Sequence, residues 1–181
     1  KVKDEACPLG LAPTASTTAS LAMGDAIAVA LLKKRNFKSE DYALFHPGGS
    51  LGRKLILKVE DIMRKDEDIP KITQDKLMKD AILEMTSKKM GCTAVIDNTG
   101  KLLGIITDQD LRKNLGKNPD ILEVTVKDIM TKNPKTISKD ELVAKAIQVT
   151  EEKSVSTLLV VDKNGKLTGI VHLHDLLKAA G

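Results

Sequence analysis

The chain reads as an α/β protein of the α+β kind: one short sheet with two helices, built twice, behind a separate leading segment. Three observations predict this. Two segments repeat each other at a spacing of about 65 residues, in unbroken order. Within each copy an amphipathic helical spacing gives way to short apolar strand-like runs about a turn, then to a second helix. Apolar residues make up 41% of the 181 residues but aromatic ones only 2%, so the core must be aliphatic.

The repeat is explicit. Val59-Glu-Asp-Ile-Met63 returns as Val126-Lys-Asp-Ile-Met130, and Asp80-Ala-Ile82 as Lys145-Ala-Ile147. Ala94-Val-Ile-Asp97 returns as Leu159-Val-Val-Asp162, and Gly100-Lys-Leu102 as Gly165-Lys-Leu167. Gly104-Ile-Ile-Thr-Asp-Gln-Asp-Leu111 returns as Gly169-Ile-Val-His-Leu-His-Asp-Leu176. In copy one, short extended Ile69–Ile72 leads to a helix from Leu77 to Met90, with apolar residues on one face and Asp75 placed to cap it. Thr93–Ile96 and Leu102–Ile106 form a hairpin about the turn Asp97–Gly100, and a second helix starts near Asp108. Copy two matches: extended Pro134–Ile137, helix Glu141–Glu152, strand Leu158–Val161, turn Asp162–Gly165, strand Leu167–Val171, then a helix from His174. One copy has little area to bury, so two copies packing sheet against sheet are expected to share a core. Pro119 to Val126 joins them and is a candidate hinge.

Composition excludes several classes. With no Trp, two Phe and one Tyr there is no aromatic platform for single-stranded nucleic acid. The net charge of +4 is small and acidic residues are mixed among the basic ones, so no nucleic-acid stripe is evident. Cys7 and Cys92 stand alone, outside any C-x-x-C pair, which suits a reducing cytoplasm. The most apolar stretch, Leu21 to Leu32, is shorter than a bilayer span and contains Asp25; it reads as a buried helix, with no membrane partner. The opening at Lys1 reads as a chain already under way, so a longer parent is expected.

The strand-to-helix turn Gly104–Asp110 carries the first candidate site. Thr107 puts a hydroxyl at a helix start, where amides are unpaired and the dipole is positive. Asp110 lies one turn on, where a carboxylate can accept from two adjacent hydroxyls. The same atoms equally make a plain capping box, Thr107-x-x-Asp110. Copy two keeps the carboxylate as Asp175 but has His172 for the Thr, so it is tuned differently. His172 and His174 form an H-x-H pair that would share a face on a strand, but with no third ligand nearby except Asp175 no metal is assigned.

Residues 1–57 lie outside the repeat. Thr14-Ala-Ser-Thr-Thr18 precedes a long apolar helix, about Ala19 to Lys34; its hydroxyls suit capping or a sugar phosphate. Phe45-His-Pro-Gly-Gly-Ser-Leu-Gly-Arg-Lys54 is a glycine-rich loop that is neither a Walker loop nor G-x-G-x-x-G.

The Asp-Ile-Met openings and the G-h-h-T-x-x-D turn resemble the CBS domain, which works in pairs, over Val59 to Ala180. The resemblance implies phosphate contact at Thr107 and ribose contact at Asp110, with His172 and Asp175 as the second position. Cys7-Pro-Leu-Gly-Leu-Ala-Pro-Thr14, Met23-Gly-Asp-Ala26 and His46–Lys54 closely resemble the end of the sugar isomerase (SIS) domain of D-arabinose 5-phosphate isomerases. The implied domains are 1–57, the closing fragment of a doubly wound SIS domain, then CBS repeats at 58–118 and 119–181. The resemblance further implies interconversion of D-ribulose 5-phosphate and D-arabinose 5-phosphate, feeding Kdo and lipopolysaccharide synthesis, in a cytoplasmic homo-oligomer (a tetramer) that uses no cofactor. His46 is the implied catalytic residue, an imidazole suited to moving protons through an enediol. The phosphate loop, Lys and general-base Glu of such a domain are not in this sequence, so this chain alone is expected to be inactive. Pathway logic suggests a nucleotide or nucleotide-sugar effector such as CMP-Kdo; the alternative is a CBS pair that serves only assembly.

Overall fold

The computed structural model describes residues 2–45, 55–116 and 118–180. His46 and the glycine-rich loop through Lys54 lie outside them. The chain divides into two units, residues 1–47 and 48–181.

The described part of the first unit is helical: α1 spans Ala15–Lys34 and α2 spans Ser39–Phe45. Helix α1 starts four residues before the expected Ala19, at Ala15, where another residue holds its first turn. The Glu5 carboxylate accepts from the backbone amides of Thr14 (2.8 Å) and Ser16 (3.2 Å). The hydroxyls of Thr17 and Thr18 turn back to the Thr14 carbonyl. The expectation of a buried helix is corrected: no residue of α1 is buried, and Leu21 is 69% and Val29 63% exposed. By length and composition α1 also matches a membrane span.

The second unit contains both repeats. Copy one supplies α3 (Val59–Ile62), β1 (Lys71–Thr73), α4 (Met78–Lys88), β2 (Cys92–Ile96), β3 (Leu102–Thr107) and α5 (Asp108–Leu115). Copy two supplies α6 (Val126–Ile129), β4 (Thr131–Lys132), β5 (Thr136–Ile137), α7 (Val143–Lys153), β6 (Thr157–Val161), β7 (Leu167–His172) and α8 (Leu173–Ala180). Each hairpin strand extends a residue or so past its apolar run, reaching Cys92 and Thr107 in one copy and Thr157 and His172 in the other. Asp75 does not cap α4: extended Leu77 occupies that position, and its own partner is the Thr73 side chain. The hairpin turns are set by Asp97 and Asp162, each accepting from two backbone amides, with Gly100 and Gly165 at φ +85° and +77°.

One sheet runs β1-β2-β3-β4 and the other β5-β6-β7. In both, a parallel edge strand meets an antiparallel hairpin. The opening segments are exchanged between copies. Strand β4 of copy two pairs with β3 of copy one, Thr131 opposite Ile105. Arg64 of copy one bridges Ile170 on β7 of copy two. Accordingly Val59 is buried among Val143, Leu158 and Leu176, whereas Val126 is buried among Met78, Val95 and Ile106.

Strand alternation explains the layers. Cys92, Ala94 and Ile105 face Leu159, Leu167 and Ile170, which is the shared core between the sheets. Val95, Ile106, Leu158 and Val160 point the other way, to the helices. Fully burying such a side chain contributes roughly 1.5–3 kcal/mol each. The connection between copies is packed rather than loose: Ile121 is 2% exposed, and the Val124 carbonyl accepts from the Met78 amide at 2.9 Å.

Candidate functional site

Strand β3 ends at Thr107, whose extended backbone (φ −124°, ψ 164°) makes it the N-cap of α5. Its hydroxyl donates to Asp110 Oδ2 at 2.8 Å and accepts weakly from the Asp110 amide at 3.4 Å. Asp110 Oδ2 also accepts from the Thr107 amide at 2.9 Å. The capping box is therefore formed. The other carboxylate oxygen, Oδ1, accepts from the Thr131 hydroxyl at 3.0 Å. Thr131 comes from the exchanged opening of copy two, so both repeats build this corner. Around it lies a cleft of about 630 Å³, bounded by Lys132 and Lys135 on one side and by Ser154 to Thr157 on another. Its size suits a drug-sized or nucleotide-sized ligand.

The matching corner of copy two is chemically different. His172 ends β7, and its Nδ1 accepts from the His174 amide at 3.1 Å. His174 lies on α8 rather than on the strand, so the two imidazoles do not share a strand face. Among the described residues no group of three or more metal-ligating side chains occurs. Asp175 pairs with Arg64 at 3.5 Å, and Arg64 occupies the place that Thr131 holds in the first corner. Arg64 Nη1 also donates to the Lys88 carbonyl at 2.9 Å. A cleft of about 390 Å³ opens here, lined by Arg64, Lys89, His172, His174 and Asp175. The two clefts share Met90, Gly91 and His172 as a common wall.

Thus Thr107 with Asp110, and His172 with Asp175, fall in pairs at equivalent corners, and His46 lies outside the described residues. Thr131, Arg64 and Lys89 were not singled out by the sequence. The available signal was position: Arg64 and Thr131 each follow the Met of the Asp-Ile-Met motif. Cys92 stands at the first cleft's wall but is 2% exposed, and burial pushes its thiol up to about 11.

The family model described as CBS domain matches residues 59–117 and 126–181. The chain is 47% identical over 178 residues to arabinose 5-phosphate isomerase KdsD of Pseudomonas aeruginosa, covering 98% of this chain and 55% of that protein. It is 49% identical over 177 residues to the protein of the same name from Francisella tularensis, covering 98% of this chain and 54% of that one. The chain spans about half the length of the curated relatives it matches. Among solved structures, CBSX2 in complex with AMP is 27% identical, with a TM-score of 0.59, over 68% of this chain and 96% of that one. The CBS domain pair of MJ0100 in complex with 5′-methylthioadenosine and S-adenosyl-L-methionine is 28% identical, with a TM-score of 0.61, over 68% of this chain and 94% of that one.

Proposed function

Because this chain belongs to the CBS domain family and carries two copies of that domain, we propose that it is the ligand-sensing end of an arabinose-5-phosphate isomerase. Its repeats take a nucleotide or nucleotide-sugar, and the bound ligand biases a catalytic domain that lies mostly before this chain. The observation that carries this reading is the Thr107–Asp110 corner in a cleft of about 630 Å³, in a fold whose relatives are solved with AMP and S-adenosyl-L-methionine.

Asp110 is not vacant, so binding is an exchange. A ribose hydroxyl replaces the Thr131 hydroxyl on Oδ1, one neutral donor for another, at little net cost. Lys132 and Lys135, at the cleft edge, supply charge for a phosphate. His172 and Asp175 form the second ligand position.

The parent reaction is the aldose–ketose isomerisation of D-ribulose 5-phosphate to D-arabinose 5-phosphate, for Kdo and lipopolysaccharide synthesis in the cytoplasm. His46 serves there as the acid–base residue. The preceding catalytic segment would cover the exposed apolar side chains of α1 in a soluble homo-oligomer.

Thermal melting of the chain with AMP, ATP, CMP, CMP-Kdo and arabinose 5-phosphate tests the sensing role. A ligand at a hundred times its Kd stabilises by about 2.7 kcal/mol. A selective rise with one nucleotide or nucleotide-sugar, lost in Asp110→Ala, is expected. A flat panel would leave assembly as the role of the pair.

A further inference from the structure

The two corners differ at one atom position, and that difference has chemical content. In the first, the carboxylate's outer oxygen meets a neutral hydroxyl, Thr131 Oγ1 at 3.0 Å. In the second, the carboxylate meets a guanidinium, Arg64 Nη2 at 3.5 Å. A ligand hydroxyl can replace Thr131 at Asp110. It cannot replace Arg64 at Asp175 without leaving a partly buried guanidinium short of its anion.

The second cleft has what an anion needs. In the lining, Arg64 and Lys89 set two cations against the carboxylate of Asp175, beside two imidazoles; the Asp108 carboxylate lies at the shared wall, against Gly91. A guanidinium has five N–H donors. The Lys88 carbonyl takes one at 2.9 Å, and the 3.5 Å ion pair is longer than a charge-assisted hydrogen bond. Donors therefore remain to grip a tetrahedral anion. Arg64 is also fixed at both ends: its backbone is paired to Ile170 in both directions, and its side chain is anchored on Lys88. Lys89 is held at the end of α4 in the left-handed region, φ +53°, which fixes the backbone that carries the ammonium.

We infer that the second cleft is an anion site, in which Arg64 and Lys89 bind a phosphate group beside His172 and His174, rather than a second nucleoside site. The inference rests on reading the repeats as ligand-binding modules. The phosphate belongs either to a free phosphate or phosphomonoester or to the tail of a nucleotide seated in the first cleft. The shared wall of Met90, Gly91 and His172 puts the two within reach of one ligand.

The test is calorimetric titration of the 181-residue chain with inorganic phosphate, with chloride at matched ionic strength as control. Saturable binding of one phosphate per chain is expected, weakened tenfold or more by Arg64→Gln and several-fold by Lys89→Asn, and unchanged by Thr107→Ala. Asn suits a positive φ, and Lys89→Asn leaves the Arg64–Asp175 pair intact, so that variant tests the site even if Arg64→Gln folds poorly. Phosphate heat that does not saturate, or that both variants keep in full, overturns the inference.

AMP and adenosine separate the two sources. If the phosphate is a nucleotide's tail, phosphate competes with AMP, and Arg64→Gln weakens AMP but not adenosine. If it is a separate molecule, phosphate and AMP bind together. Phosphate binding without any AMP binding would sink nucleotide sensing and keep the anion site; AMP binding without phosphate binding would do the reverse.

Discussion

Met63 lies directly over Gly169: a Cβ placed on that glycine would come within 2.5 Å of the Met63 sulfur and 3.1 Å of the Arg64 carbonyl oxygen. The relationship occurs twice. A Cβ on Gly104 would meet the Met130 sulfur at 2.8 Å and the Thr131 carbonyl oxygen at 2.9 Å. The Met that closes each Asp-Ile-Met motif thus packs against the glycine that opens the turn sequence of the other copy. Two repeated sequence motifs, far apart in the chain, are the two halves of one contact.

Gly169→Ala and Gly104→Ala are therefore expected to destabilise the repeats by about 1–3 kcal/mol each, through overpacking against a backbone carbonyl that cannot swing away. Chemical denaturation would measure this. Gly116→Ala is the control, since a Cβ there meets nothing within 4 Å.

Asp110→Asn keeps the shape of the first corner but weakens an acceptor that serves the Thr107 amide, the Thr107 hydroxyl and the Thr131 hydroxyl. A loss of about 0.5–2 kcal/mol is expected from the weakened cap. Nucleotide-dependent stabilisation should fall away along with it. A melting series with and without AMP separates the two effects.

Glu5 is held at about 2, against an ordinary 4.5, first by the Ser16 hydroxyl and then by the backbone amides of Thr14 and Ser16. Its folded value is depressed, so its support for the start of α1 is complete above pH 4.5. That support drains away as the pH falls through about 2. A carboxyl NMR titration should find its midpoint far below the ordinary glutamate value of 4.5. Glu5→Gln should loosen the first turn of α1 without touching the repeats, as read by amide exchange.

The two thiols should behave oppositely toward an alkylating reagent. Cys7 is half-buried in a ring of backbone donors, led by the Ala12 amide, that pulls its thiol down from the usual value; Cys92 is buried and raised to about 11. At pH 8 a thiol of that kind is on the order of 0.1% thiolate, and its burial hinders access further. Modification confined to Cys7 in the folded chain, with Cys92 reacting only after denaturation, is the expected mass-spectrometric result.

The parts legible in the sequence were those written locally. The hairpins follow from short apolar runs about Asp-x-x-Gly turns, and the helices from apolar spacing. The shared sheet-to-sheet core followed from the repeat itself. What was not legible depends on distant partners. Nothing near Val59 says that it is buried with Leu158, because the same motif would pack equally well on its own copy. Comparing the copies highlights identities, whereas Arg64 and Thr131 stand at a position where the copies differ. Asp75 suits a cap by residue type alone, while the chain enters α4 two residues later, through extended Leu77. The composition of α1 reports what the helix would prefer to touch and not what is there.

The exchange of opening segments has a consequence for how such a pair holds together. Either repeat alone would lack one wall of its core and one partner for its hairpin. It could recover both only from a second molecule, as a reciprocally swapped dimer. Joining the two in one chain turns that bimolecular encounter into an intramolecular one, at an effective concentration in the millimolar range for a short linker. The chain from residue 55 to 180 is in this sense a tethered homodimer. Its halves should melt in one cooperative transition, and cutting the connection near Pro119 should make their association depend on dilution.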